Sequence, residues 1–125
     1  MKPSAIANTE KALLQLEEFI AIENPSKIEF AGVIQAFEFT YERLWKTLKT
    51  YLFDQGFQSG SPKQVFKDGF KSGLIKDQNI WLKMLQDRNL TVHTYNEALA
   101  KEIYQRIKSN YAPEMRIILE LLKKA

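Results

Sequence analysis

The feature that most constrains this chain is an apolar seam. Phe30, Ile34, Phe37, Tyr41, Leu44, Leu48 and Tyr51 follow one another at alternating spacings of four and three, the interval at which an α-helix turns successive side chains toward one neighbour. Val33, Phe39, Trp45 and Leu52 form a second apolar track beside it. A helix from about Lys27 to Gln55 is therefore predicted, ended by Gly56 at a position suited to the left-handed C-terminal cap. Being apolar on more than one side, it must be covered on more than one side, by the rest of the domain or by a second copy of it. It is thus the expected centre of the packing and a candidate dimer interface.

The remaining segments supply the cover. Ser4 to Glu23 carries Ile6, Leu13, Leu16 and Ile20 on one stripe and stops at Asn24-Pro25-Ser26. Ser61-Pro62 places a capping hydroxyl before a proline and opens a short helix to about Lys71. A further helix is expected from Ile80 to about Arg88, another from Asn96 to Ser109 on Leu99, Ile103 and Ile107, and a last one from Pro113 to Lys124, with Pro113 breaking or kinking the chain. No stretch alternates with the period of two that marks a strand. The 125 residues suit one domain, residues 1–125. The expected fold is all-α: an up-and-down bundle of four longer helices with one or two short ones.

Composition narrows the chemistry. The chain has no cysteine and one histidine, which excludes disulfides, thiolate zinc sites, a cysteine nucleophile and any two-histidine metal site within one chain. No metal or cofactor is expected, and no glycine-rich phosphate loop is present. The N-terminal MKPSAIANTEKALLQLEE lacks a signal peptide's apolar core, and no apolar run approaches the roughly 20 residues of a membrane span. The expected location is the cytoplasm, with no membrane partner. A net charge of +3 favours an anionic partner only mildly, because most lysines and arginines alternate with acids as solvated helix faces do. Arg43, Lys46 and Lys49 are the exception, sharing one side of the second helix as possible phosphate or RNA contacts.

Polar capacity concentrates in Trp81 to Tyr95, WLKMLQDRNLTVHTY, which contains the sole histidine, His93. A histidine exchanges protons near neutral pH, and an arginine offers planar, permanently charged donors matched to phosphate. Together, His93 and Arg88 suit metal-independent RNA cleavage. The histidine would take the proton from a ribose 2′-hydroxyl, and the arginine would hold the charge growing on the phosphoryl oxygens. On one uninterrupted helix the two lie about 140° apart, so a break between them or a symmetric partner is required. The competing local explanation is that Asp87 and Arg88 satisfy a helix end, His93 bonds a neighbouring carbonyl, and Tyr95 is half-buried packing.

The segment Arg88-Asn89-Leu90-Thr91-Val92-His93-Thr94-Tyr95 resembles the signature of the HEPN superfamily, and with Tyr95 the extended form of HEPN ribonuclease toxins: arginine, four residues, histidine, one residue, tyrosine. Phe37 to Lys49, Ser61-Pro62, Gly73-Leu74-Ile75 and Trp81 to Glu97 are similar to the nucleotidyltransferase substrate-binding family, a HEPN-like branch. The resemblance covers roughly Leu13 to Leu122. It implies a dimerising helical bundle paired with a separate minimal nucleotidyltransferase, as in a toxin–antitoxin system. By that resemblance Arg88 and His93 are the catalytic pair, Asn89 is the polar second position, and Tyr95 is the hydroxyl the transferase would silence by adenylylation. The alternative it carries is a non-catalytic subunit that presents a nucleotide or other substrate to the transferase.

Overall fold

The computed structural model describes residues 3–125. Among them, six α-helices follow one another: α1 (Pro3–Ile20), α2 (Lys27–Asp54), α3 (Pro62–Lys71), α4 (Gln78–Leu90), α5 (Glu97–Arg106) and α6 (Ala112–Lys124). A single 3-10 turn, Thr91–His93, follows α4, and a π turn, Ile107–Tyr111, joins α5 to α6. Among the described residues there is no strand, as the missing period-two pattern predicts. The fold is the expected all-α helical bundle.

The second helix is the centre that its seam requires. Val33, Ile34, Phe37, Tyr41, Leu44, Leu48 and Leu52 are all buried, and α1, α3, α5 and α6 pack on it. Of the outer track, Val33 and Leu52 join the core whereas Phe39 stays half exposed. Small hydroxyls bring α1 close to α2. The buried Thr40 Oγ1 donates to the Ala36 and Ala12 carbonyls at 2.7 and 3.1 Å, and Thr9 and Thr47 share a hydrogen bond at 3.1 Å. Burying these hydroxyls unpaired would cost on the order of 1–3 kcal/mol each, so the partners are a condition of the close approach.

The caps follow from the sequence. Ser26 accepts from the Glu29 amide while Glu29 accepts from the Ser26 amide, a reciprocal box that starts α2. Gly56 takes φ 95° past the end of that helix, the left-handed value that glycine adopts without strain. Ser61 accepts from Gln64, and Asn96 accepts from Leu99. Three boundaries differ from expectation, among them the end of the fifth helix, which stops at Arg106 and not Ser109 because the π turn begins there. The first helix ends at Ile20, not Glu23, with Asn24 in the left-handed region at φ 50°. The fourth begins at Gln78 because Asp77, ahead of the apolar residues, accepts from the Asn79 and Ile80 amides.

Pro113 neither stops the chain nor leaves a loop. Having no N–H, and clashing with the carbonyl four residues back, it is incompatible with an unbroken α ladder. The chain widens instead: the Ala112 amide bonds the Ile107 carbonyl, five residues back. Helical structure thus continues from Glu97 to Lys124, and Tyr111 on the widened turn points into the core.

Candidate functional site

Arg88 lies in the last turn of α4, its side chain 26% accessible and turned toward α2. Its Nη1 stands 3.1 Å from Glu38 Oε2, and its buried Nε stands 3.7 Å from Glu42 Oε1, too far for a hydrogen bond. Glu38 and Glu42 are one turn apart on α2 and so face α4 together. Thr91 completes the cluster. Its hydroxyl accepts from Arg88 Nη1 at 3.1 Å and lies 2.9 Å from Glu38 Oε2 and 2.7 Å from the Arg88 carbonyl, either of which can take its proton.

The helix is interrupted between Arg88 and His93. Thr91 opens the 3-10 turn that ends at His93, and no hydrogen bond or ion pair joins the arginine to the histidine among the described residues. His93 pairs instead with Tyr95: the phenol oxygen is 3.4 Å from His93 Nδ1, and the rings meet edge to face at 5.9 Å. Both are exposed, Tyr95 at 82%, so the tyrosine is not the half-buried packing residue of the local explanation. His93 bonds this tyrosine, not a neighbouring carbonyl. Asn89 is exposed at the end of α4, its side chain without a hydrogen-bond partner among the described residues.

Asp87, next to Arg88, is held quite differently. It is fully buried and accepts from Arg106 Nε at 2.6 Å, from Arg106 Nη2 at 3.0 Å, and from the Tyr111 hydroxyl through a short bond. Two parallel N–H donors from one guanidinium are the strong form of this pairing. Burial first, and the hydrogen bond to Asp87 second, push the Tyr111 hydroxyl well above the usual phenol range. The cluster ties the end of α4, and with it the motif, to the π turn.

The three basic residues of α2 lie along the same helix as the Arg88 carboxylates. The Arg43 guanidinium rests over the Phe39 ring at 4.5 Å, Lys46 stands 4.0 Å from Glu42, and Lys49 is exposed one turn further on. Glu42 also accepts from Trp45 Nε1 at 3.1 Å and so lies between Arg88 and the basic row. Arg43 and Lys46 line a shallow groove between α1 and α2 with Asn8 and Thr50.

The motif segment therefore folds into a polar end of the bundle in which Arg88 is anchored to α2 while His93 and Tyr95 are exposed and contact each other. Glu38, Glu42 and Thr91 went unrecognised as partners of Arg88 in the sequence. The i, i+4 pair of acids in an otherwise apolar stretch was the available signal, but it does not say which cation they meet.

Comparison with known proteins agrees with this architecture. Residues 4–124 match the family model described as nucleotidyltransferase substrate binding protein like. A Haemophilus influenzae protein named probable ribonuclease HepT is 32% identical over 98 residues, which are 74% of this chain and 66% of that protein's length. A crystal structure of a Thermus thermophilus protein superposes with a TM-score of 0.88 at 42% identity, covering 92% of this chain and 98% of that one. Another, from Haemophilus influenzae, is described as revealing the fold of a substrate binding domain of a nucleotidyltransferase. It superposes with a TM-score of 0.72 at 27% identity, over 96% of this chain and 95% of that one. With the family model spanning nearly every described residue, the chain belongs to the nucleotidyltransferase substrate binding protein-like family, a HEPN branch.

Proposed function

We propose that this chain is the HEPN partner of a separate minimal nucleotidyltransferase and acts as a metal-independent endoribonuclease toxin. The observation that carries the reading is the exposed His93, paired with Tyr95 and five residues past an anchored Arg88 across a break in the helix. His93 is exposed and contacts Tyr95 through Nδ1, which leaves Nε2 to take the 2′-hydroxyl proton of RNA. Arg88, fixed by carboxylates of α2, presents its remaining N–H groups to the phosphate, where charge grows as the 2′-oxygen attacks. Asn89, exposed beside Arg88, supplies a neutral donor at the same end.

One chain holds one histidine, whereas the reaction needs a base and an acid. A homodimer that joins two motif ends supplies both, one histidine taking the 2′ proton and the other protonating the 5′-oxygen that leaves. The exposed Val92 and Ile28, accessible to 68% and 84%, are apolar surface that such a contact would cover. Tyr95 is the proposed adenylylation target: its hydroxyl is accessible, and AMP placed there would stand against His93 and block the base. The partner transferase is supported by the family to which the chain belongs.

The test is incubation of purified protein, with metal chelated, with a mixed RNA substrate, alongside the His93→Ala variant. Cleavage by the wild type alone, leaving 2′,3′-cyclic phosphate ends, supports the reading. Intact RNA from a dimeric, unmodified preparation overturns it in favour of a substrate-binding subunit of the transferase.

A further inference from the structure

Two clefts lie along the seam between the N-terminal half of α2 and helix α5, and they share Phe30 and Lys101 in their walls. The first, about 520 Å³, is lined by Phe30, Ala31 and Ile34 of α2, Ala100 and Lys101 of α5, and Tyr95 of the motif at its mouth. The second, about 460 Å³, is bounded by Phe30, Asn24, Pro25, Tyr104, Gln105, Lys101 and Lys108. Phe30 is partly buried against the core and held by an edge-to-face contact with Tyr104 at 4.7 Å and 72°. Lys101 belongs to both clefts, and Lys108 lies seven positions further along the same helical run, on the same side. Neither lysine has an ion-pair partner among the described residues. Lys27, at the opposite rim, is paired with Glu97 at 3.5 Å.

An apolar cleft against an aromatic ring, continued by a polar cleft with unpaired lysines spaced along one edge, matches a single-stranded nucleic acid. Bases stack on the ring, and the phosphate backbone follows the lysines. We infer that the α2–α5 groove is a binding track for single-stranded RNA. It takes a nucleobase in the apolar cleft against the accessible part of Phe30, with the phosphates of the strand on Lys101 and Lys108, and delivers the strand past Tyr95 to His93. The inference rests on the ribonuclease reading for what happens at the motif, but the binding itself does not depend on cleavage. It also gives Tyr95 a second significance, because a group attached to that hydroxyl would stand at the mouth of the track.

The probe is a fluorescent 2′-O-methyl uridine hexanucleotide, which lacks the attacking hydroxyl. Its affinity for the full chain is measured across a range of salt for wild type, for Lys101→Ala/Lys108→Ala, and for Ala31→Glu, which places a like charge in the first cleft. Unmodified hexanucleotide is assayed in parallel for cleavage. The expected result is binding about tenfold weaker in both variants, and for the lysine variant a salt slope shallower by about 1.4, the value for two lost phosphate contacts on a single strand. Equal affinity in all three proteins overturns the track, as does wild type that fails to bind the probe. Wild type that binds through the lysines but never cuts removes the ribonuclease reading and leaves the track standing. Cleavage with unchanged binding in the variants does the reverse. Variants that bind RNA normally but lose a nucleotidyltransferase partner would make the groove a protein-docking surface and overturn the proposal.

Discussion

Arg88 Nη1 stands 3.1 Å from Glu38 Oε2 across the α4–α2 interface, so the arginine of the motif already holds a carboxylate before any phosphate arrives. On the proposed ribonuclease reading, Glu38 both aims the guanidinium and would compete with an RNA phosphate for it. Glu38→Gln keeps an acceptor for Thr91 but loses the charge. The expected outcome is opposed changes: KM for RNA falls as competition is relieved, while kcat falls by on the order of tenfold to a hundredfold because Arg88 is less firmly placed. Arg88→Ala, by contrast, is expected to lower kcat about a hundredfold or more. Steady-state kinetics on one RNA substrate check both, and Glu38→Gln with unchanged kcat and KM would reduce the contact to scaffolding.

Besides their edge-to-face ring contact, Tyr95 and His93 share one polar contact, 3.4 Å between the phenol oxygen and Nδ1, a long hydrogen bond with little hold on the imidazole. Removing that hydroxyl is therefore expected to separate cleavage from control. Tyr95→Phe should cut RNA within about threefold of wild type, since a hydrogen bond this long falls at the low end of the roughly 0.5–1.5 kcal/mol that a neutral one contributes. It should also take up no AMP from the partner transferase, as read by mass spectrometry. His93→Ala should behave oppositely, inactive yet still modified.

The helices, their caps and the central role of α2 were legible because each rests on local chemistry. The seam from Phe30 to Tyr51, the hydroxyls of Ser26 and Ser61, and Gly56 all announce themselves within a few residues. The motif was legible as residue types, Arg88 and His93, but not as an arrangement. Its partners Glu38 and Glu42 come from another helix, and no local pattern encodes which faces meet. Pro113 was misleading for the opposite reason: a proline forbids the α ladder, but the chain can widen into a π turn as well as break. Asp87 illustrates the same limit, since Arg106 and Tyr111 lie 19 and 24 positions away.

That buried aspartate leads to the clearest stability prediction. Asp87 is fully buried with two donors from Arg106 and one from Tyr111. Asp87→Ala would leave a half-buried guanidinium and a buried hydroxyl without their acceptor, a loss of about 3–5 kcal/mol. For a domain of this size that lowers the melting temperature by on the order of 10 °C or more. Asp87→Asn keeps the shape and one acceptor and should fall between the two. Calorimetry on the three proteins checks the order.

Tyr41 gives the opposite expectation. It is buried on α2, and its hydroxyl has no hydrogen-bond partner among the described residues. Burial first, then the neighbouring Glu42, push its ionisation above the usual phenol range, so the group is neutral at any working pH. A buried hydroxyl without a partner opposes folding, and Tyr41→Phe removes it while keeping the ring packed near Phe37 and Phe66. Stability unchanged or raised by up to about 1 kcal/mol is expected. A loss of similar size would mean that the hydroxyl has a partner in the functional assembly, and the protein concentration dependence of melting would show it.

The α1–α6 interface supplies the pH dependence. Arg116 reaches Glu10, Glu17 and Glu120, and Lys123 joins Glu10 and Glu120. The hydrogen bond from Arg116, helped by Lys123 against the effect of partial burial, holds the Glu10 carboxyl down at about 2 from its ordinary 4.5. A carboxyl depressed in the folded state stabilises fully above the unfolded value. That contribution fades as pH falls from about 4.5 toward 2, where the folded chain also takes up the proton. Screening at a side chain still 22% accessible limits it to about 1 kcal/mol. Glu10→Gln should therefore melt a few degrees below wild type at pH 7, with the gap closing as pH falls through that window. A gap that persists unchanged at pH 2 would show that Glu10 acts through packing, and one absent at pH 7 that solvent already screens the network.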